Sequence, residues 1–308
     1  MGKLTLILFF TVLLVLGFAA SCFAWGPGVH MAIGNAVLSN TVILSDGVAK
    51  LLLSNSALFL YGCLSADIFI GKGSKAKRLH SHNWQTGFNL LNESNDKHLK
   101  AYSLGYLSHL AADIIAHNYY VPNLMQQARS GGRLSHVYIE MLADDQVDWS
   151  AQEAARLFRK ANQDADFNLR KHMDAKKYSF LFKKKVFHQT IGLLEYKAVS
   201  KSLKISKKVV PAFRQAYLRS IIDYSYRVVV DMLNSPENAV ALNFDPIGAD
   251  NIALAKGENN WKNALKRNVP FTPRFEVDKQ ITGLPKVAGV GDMFKTNTGL
   301  IDSSAFDF

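Results

Sequence analysis

Apolar residues recur three and four positions apart along most of the chain, the spacing that places them on one face of a helix. The pattern is clearest over 98–119, where Leu104, Leu107, Leu110, Ala111, Ile114 and Ile115 share a face. Met31, Ile33, Ala36, Val37 and Val42 predict one or two helices within 30–55, broken by Ser, Asn and Gly. Further helices are predicted over 133–145, 149–163, 175–202 and 207–234. A basic, glycine-containing loop at 71–78 and Ser130-Gly131-Gly132 interrupt the series, and Pro236 and Pro246 mark a looser segment. Strand-type alternation is scarce and no internal repeat stands out. The expected fold is therefore all-α: one multi-helix domain over 25–236, then an irregular C-terminal extension over 237–308, rich towards its end in Pro, Gly, Thr and Asp.

The first residues depart from this periodicity. Lys3 precedes an almost uniformly apolar run from Leu4 to Ala20, and Cys22-Phe23-Ala24 is a small-x-small cleavage site, so 1–24 reads as a secretory signal peptide. Two other readings stand beside it. About twenty uncharged residues can just span a bilayer as an anchor. A lipoprotein leader ending before Cys22 would have Ala19 where leucine is usual. Cleavage after Ala24 predicts a secreted or periplasmic protein of bacterial type that begins at Trp25. It would keep Cys63 as its single cysteine and so carry no intrachain disulfide.

Apolar residues make up 48% and charged residues 20%, which excludes a disordered chain. Lys and Arg number 36 against 25 Asp and Glu, a net charge of +11 that favours phosphate esters, anionic membrane surface or nucleic acid without choosing among them. Lys176, Lys177, Lys183, Lys184, Lys185, Lys201, Lys204, Lys207 and Lys208 concentrate that charge, with Phe180, Phe182 and Phe187 interleaved. Such a stretch suits anionic headgroups, or is simply a solvated helix face.

Histidine placement points to specific chemistry. His109, Asp113 and His117 stand at i, i+4 and i+8, within about 80° of one another on an ideal helix. Leu110 and Ile114 flank them, so this face is also apolar. His136 and Glu140 repeat the i, i+4 spacing. Asp67 ends the turn-like Leu64-Ser65-Ala66-Asp67, His82 lies in His80-Ser81-His82-Asn83-Trp84, and His30 follows Trp25 closely. A buried carboxylate beside two imidazoles is costly unless paired or coordinated, and these donors are the usual ligands of zinc. One His-x3-Asp pair alone is more often a simple hydrogen-bonded pair. Two such pairs, with a further ligand type one turn on, favour metal. His98, His172 and His188 lack partners at ligand spacing and are expected on the surface. A free Trp25 amine would close a five-membered chelate with its own carbonyl, since an α-amine of pKa about 8 can yield its proton to a metal. Read alone, Trp25 is more simply an apolar residue closing the core.

In order along the chain, Trp25-Gly-Pro-Gly-Val-His30, Asp67, His82-Asn-Trp, Ser108-His109-Leu-Ala-Ala-Asp113, His117 and His136-Val-Tyr-Ile-Glu140 resemble the zinc-dependent phospholipases C of bacteria and the related S1/P1-type single-strand nucleases. The resemblance implies a helical domain of the phospholipase C/P1 nuclease kind, with three zinc ions and a mature N-terminal Trp. It assigns Asp67, His82, His109 and Asp113 to one zinc. Trp25 and His30 go to a second, bridged by Asp113, and His117, His136 and Glu140 to the third. His80 competes with His82 for its place. The short gap from Asp113 to His117 more closely resembles the N-terminal domain of animal phosphatidylinositol-glycan-specific phospholipases D, so C-type and D-type cleavage both stay open.

The implied activity is zinc-dependent phosphodiester hydrolysis, by in-line attack of metal-activated water on phosphorus, with Asp67 orienting or deprotonating the water. Three Zn²⁺ against three carboxylates leave the site positive, which suits an anionic diester. Phospholipid is the expected substrate, with peripheral contact to a membrane surface. Glu140 stands where the nucleases carry Asp, and the lone mature cysteine contrasts with their disulfides. The alternatives are an S1/P1-type nuclease, with nucleic acid as partner, and a non-catalytic zinc-binding envelope protein.

Overall fold

The computed structural model describes residues 25–69, 80–126, 133–159, 162–194, 215–257 and 272–295. The expected leader, the 71–78 loop and Lys201, Lys204, Lys207 and Lys208 lie outside them. The fold is all-α, and the described residues hold no strand, only an isolated bridge between Val147 and Phe294.

Helix α1 spans Pro27–Ser39, α2 Asp46–Ser54 and α3 Ser56–Ser65, which runs into a 3-10 turn at Ala66–Ile68. Then come α4, Trp84–Asn92, and α5, Lys97–Ile115. The Asp96 carboxylate accepts the N–H of Leu99 at 2.8 Å and starts α5. Every residue of α5 from Ala101 to Ile115 is buried, so this helix is the axis around which α1, α2, α3, α4 and, later in the chain, α11 (Gln215–Asn234) pack. Helices α3 and α5 approach backbone to backbone. A Cβ on Gly62 would lie 2.1 Å from the Tyr102 carbonyl oxygen, and one on Gly105 would lie 2.0 Å from that of Phe59. Only glycine at both positions allows this separation.

The helix predicted over 98–119 keeps α-helical bonding only to Ile115. Ala116–Tyr120 is π-helical and leads into α6, Val121–Met125. Pro122 has no N–H to donate to the Asn118 carbonyl, and Asn251 Nδ2 bonds that oxygen instead at 2.8 Å. Three more helices are α7, Arg133–Gln146, α8, Ala151–Arg159, and α9, Gln163–His172, the last in a stretch with no predicted helix. Helix α10 is Lys177–Leu194. Its aromatic residues are not uniformly interleaved with the lysines at the surface: Phe180 and Phe187 are buried in the core, and Phe182 is exposed.

After α11, 3-10 turns at Pro236–Asn238 and Val240–Asn243 precede α12, Ala249–Gly257, and a short α13, Lys279–Thr282, follows. The 243–257 segment packs on the π-helical turn. Asn118 Nδ2 donates to Asp245 O at 2.9 Å and Trp84 Nε1 to Phe244 O at 3.0 Å. Gly248, with φ +52°, lies so close to the His117 carbonyl that a Cβ would sit 2.4 Å from its oxygen. Among the described residues no single helix is long and apolar enough to cross a membrane.

Candidate metal centre

The α3–α5 crossing sets the first contact of the site. It brings the Cys63 carbonyl 2.8 Å from His109 Nδ1. A carbonyl only accepts, so Nδ1 carries the hydrogen and a neutral His109 ring presents its Nε2 lone pair on the far side. The turn after α3 places Asp67 opposite that lone pair, and the segment before α4 brings in His82. His82 Nε2 lies 3.0 Å from His109 Nε2, 3.2 Å from Asp113 Oδ2 and 3.3 Å from Asp67 Oδ1. His109 Nε2 is 3.3 Å from Asp113 Oδ2 and 3.8 Å from Asp67 Oδ1. His82 Nδ1 contacts Ser81 Oγ at 3.0 Å. His80 is half-buried and belongs to neither group of potential ligands.

The second oxygen of Asp113 faces the start of α1. His30 Nε2 lies 3.2 Å from Asp113 Oδ1, and the Trp25 backbone nitrogen lies 3.4 Å from the same oxygen. The His30 ring stacks on that of His109 at 3.9 Å. The Trp25 indole is fully buried and donates from Nε1 to Ala112 O and Ser225 Oγ, at 3.1 and 3.2 Å, which ties this segment to α5 and α11. Two overlapping sets result, His30–His109–Asp113 and Asp67–His82–His109, each close enough to hold one ion.

The donor chemistry fits zinc. Nitrogen and carboxylate oxygen converge without thiolate, and a tetrahedral ion with bonds near 2.0–2.1 Å needs donors about 3.3 Å apart. Asp67 is completely buried, and neither of its oxygens accepts a hydrogen bond. A carboxylate in that state is costly unless a cation compensates it. Burial, aided by the His109 charge, pulls His30 down to about 4, so it is a neutral donor at pH 7. For His109, burial works in the same direction but is outweighed by Asp113, Asp67 and the Cys63 carbonyl, so its pKa is raised. Without a cation the two carboxylates recruit a proton onto His109, and a metal would compete with that proton.

The third predicted set is described in part. His117 and Glu140 are both buried, and the side chain of His136 lies outside the described residues. His117 stands in the π-helical turn, so the angle extrapolated from regular α-helical spacing does not apply to it. Its Nδ1 is 2.5 Å from the Pro246 carbonyl, which fixes the ring.

Sequence reasoning missed Asp144, one turn beyond Glu140. No side chain caps α1 locally, and Asp144 supplies the cap from α7, accepting the N–H of Val29 at 2.9 Å. Burial pushes its carboxyl up to about 7, against the pull of the Gly28 and Val29 N–H groups. Its Glu140-x3-Asp144 spacing was the available signal. Of the histidines expected on the surface, His98 is exposed, but the His172 ring is mostly covered and lies 3.4 Å from Glu93 Oε2. A cleft of about 650 Å³ beside α1, lined by Asn35, Asp148, Trp149, Glu153 and Asp292, includes none of the clustered histidines.

A family model described as zinc dependent phospholipase C matches residues 29–188, a span that holds every predicted ligand except Trp25. No curated protein and no solved structure matches the chain.

Proposed function

Because the chain belongs to the zinc-dependent phospholipase C family, we propose that it is an exported phosphodiester hydrolase that cleaves phospholipid headgroups in the manner of a phospholipase C. One observation carries the reading: the buried Asp113 carboxylate turns Oδ2 to His82 and His109 and Oδ1 to His30 and the Trp25 nitrogen. A carboxylate so placed suits a bridge between two cations.

Asp67, His82, His109 and Asp113 would hold one zinc, and Trp25, His30 and the other Asp113 oxygen a second. His117, His136 and Glu140 would hold a third. Removal of residues 1–24 gives Trp25 a free amine for this purpose. When bound, zinc supplies Lewis acidity towards phosphoryl oxygens and a nucleophilic water near neutral pH. The chain's own groups do the rest. Cys63 O keeps the His109 proton on Nδ1, so its Nε2 faces the centre. Asp67 orients the attacking water and accepts its proton at a carboxylate oxygen. The apolar walls of α3 and α5 exclude bulk water and so strengthen every interaction inside.

The test is metal analysis of the purified protein, followed by incubation with phosphatidylcholine, single-stranded DNA and a chromogenic phosphodiester. Bound zinc with release of diacylglycerol is the expected result. Phosphatidate would reassign it as a D-type enzyme, nucleotides as a nuclease, and bound zinc without any product as a binding protein.

A further inference from the structure

Helix α10 has a face that a solvated helix should not have. Tyr178 is 86% exposed and Phe182 69%, with Leu181 between them also exposed. With Lys185 these three fall within about 100° of arc on an ideal helix, so they form one outward stripe. Lys176, Lys177 and Lys185 are exposed beside it. From Lys176 to Leu194 the sequence contains no carboxylate. The neighbouring Asp166 is engaged by Lys184 at 2.6 Å. The opposite face of the helix is well packed: Phe180 lies 5.6 Å from the ring of Phe69, and Lys183 Nζ sits 5.5 Å over that ring. Phe69 comes two residues after Asp67, so α10 is braced against the turn that carries a candidate ligand.

We propose that the outer face of α10, formed by Tyr178, Leu181, Phe182, Lys177 and Lys185, docks the protein on an anionic phospholipid bilayer. The partner follows from the chemistry. Lysines meet headgroup phosphates, tyrosine suits the headgroup level, and Leu and Phe enter the acyl boundary. A second copy of the chain would bring the same positive charge to the contact. A nucleic-acid groove has no use for an exposed leucine between two aromatic residues. The inference draws its purpose from the phospholipid reading above, but binding can be measured without turnover.

The experiment is co-sedimentation of the purified protein with vesicles of phosphatidylcholine alone, or with about one phosphatidylglycerol in three, at low and high salt. Wild type, Tyr178→Ser/Phe182→Ser and Lys177→Glu/Lys185→Glu are compared as the same preparation, so any contribution of residues 1–24 is common to all. Wild type should partition to the anionic vesicles and be released by salt. Each double variant should bind at least about tenfold more weakly. Circular dichroism and hydrolysis of a soluble chromogenic phosphodiester should be unchanged. Equal binding by all three proteins would overturn the proposal. So would a salt-sensitive dimer lost in the variants, which would assign the face to a second copy, or retention of nucleic acid by this patch. Failure of the soluble hydrolysis alone would instead count against the hydrolase reading and leave the docking result standing.

Discussion

The His/Asp cluster and the outer face of α10 reverse the usual hydrophobic pattern in opposite senses. Around Asp113 two carboxylates and three imidazoles are buried among the apolar side chains of α1, α3 and α5. On α10, Tyr178, Leu181 and Phe182 are exposed among lysines. Each reversal costs free energy in the isolated chain, through desolvated charge in one case and hydrated apolar surface in the other. Each also names the chemistry that would compensate it, a divalent cation inside and a lipid surface outside. The surroundings differ accordingly. The buried reversal is held by the α3–α5 crossing, the Trp25 indole bonds and the Asp144 cap, whereas the exposed one needs only a helix whose other face is packed.

The comparison breaks most decisively at His109. His109→Ala should abolish zinc retention and lower hydrolysis by more than about 100-fold, since loss of an outer-shell partner alone commonly costs 10–100-fold. Normal turnover in that variant would put the chemistry on another helix. Gly105→Ala tests the crossing. Alanine gains about 1 kcal/mol in helix propensity, but its methyl meets the Phe59 carbonyl, an overpacking that costs about 3 kcal/mol or more. Urea unfolding should show net destabilisation, and an unchanged midpoint would mean that the close approach does not set the site.

Asp144 gives a smaller, pH-dependent effect. Its folded carboxyl is raised to about 7 from the ordinary 3.8, so the folded chain holds that proton more tightly than the unfolded chain does. Its contribution to stability is therefore fully present below about pH 4 and is lost as pH rises through about 7. In chelator-treated protein, the stability of wild type relative to Asp144→Asn should fall across that window. A difference independent of pH would contradict the burial of the carboxyl. The smallest effect belongs to the outer face of α10, where Phe182→Ser should change solution stability by less than about 0.5 kcal/mol. A larger loss would mean that Phe182 is a core residue, and the contrast between the two regions would weaken.

Spacing made only part of the cluster legible, the His109–Asp113 pair, while His30, Asp67 and His82 lie far from it in the chain and entered through the family resemblance. His109 and Asp113 are one turn apart, and an apolar helix leaves their side chains nowhere polar to go. The all-α class followed from periodicity in the same way. What the sequence hid depends on distant partners. The cap that Asp144 provides to α1 joins residues far apart in the chain, and nothing at Val29 announces it. The π-helical turn at His117 reflects Pro122 together with Asn251, a pairing that local propensity does not report. Helix α9 has few apolar positions, and its amphipathic signal is correspondingly short. On α10 the lysines and phenylalanines were visible, but which rings face out depends on how the helix packs against Phe69.

Native mass spectrometry of the purified protein tests the central claim most directly. The account predicts a folded chain that begins at Trp25 with zinc bound, and loss of that zinc in His109→Ala. A folded wild-type chain that carries no zinc when supplied with the metal would contradict it.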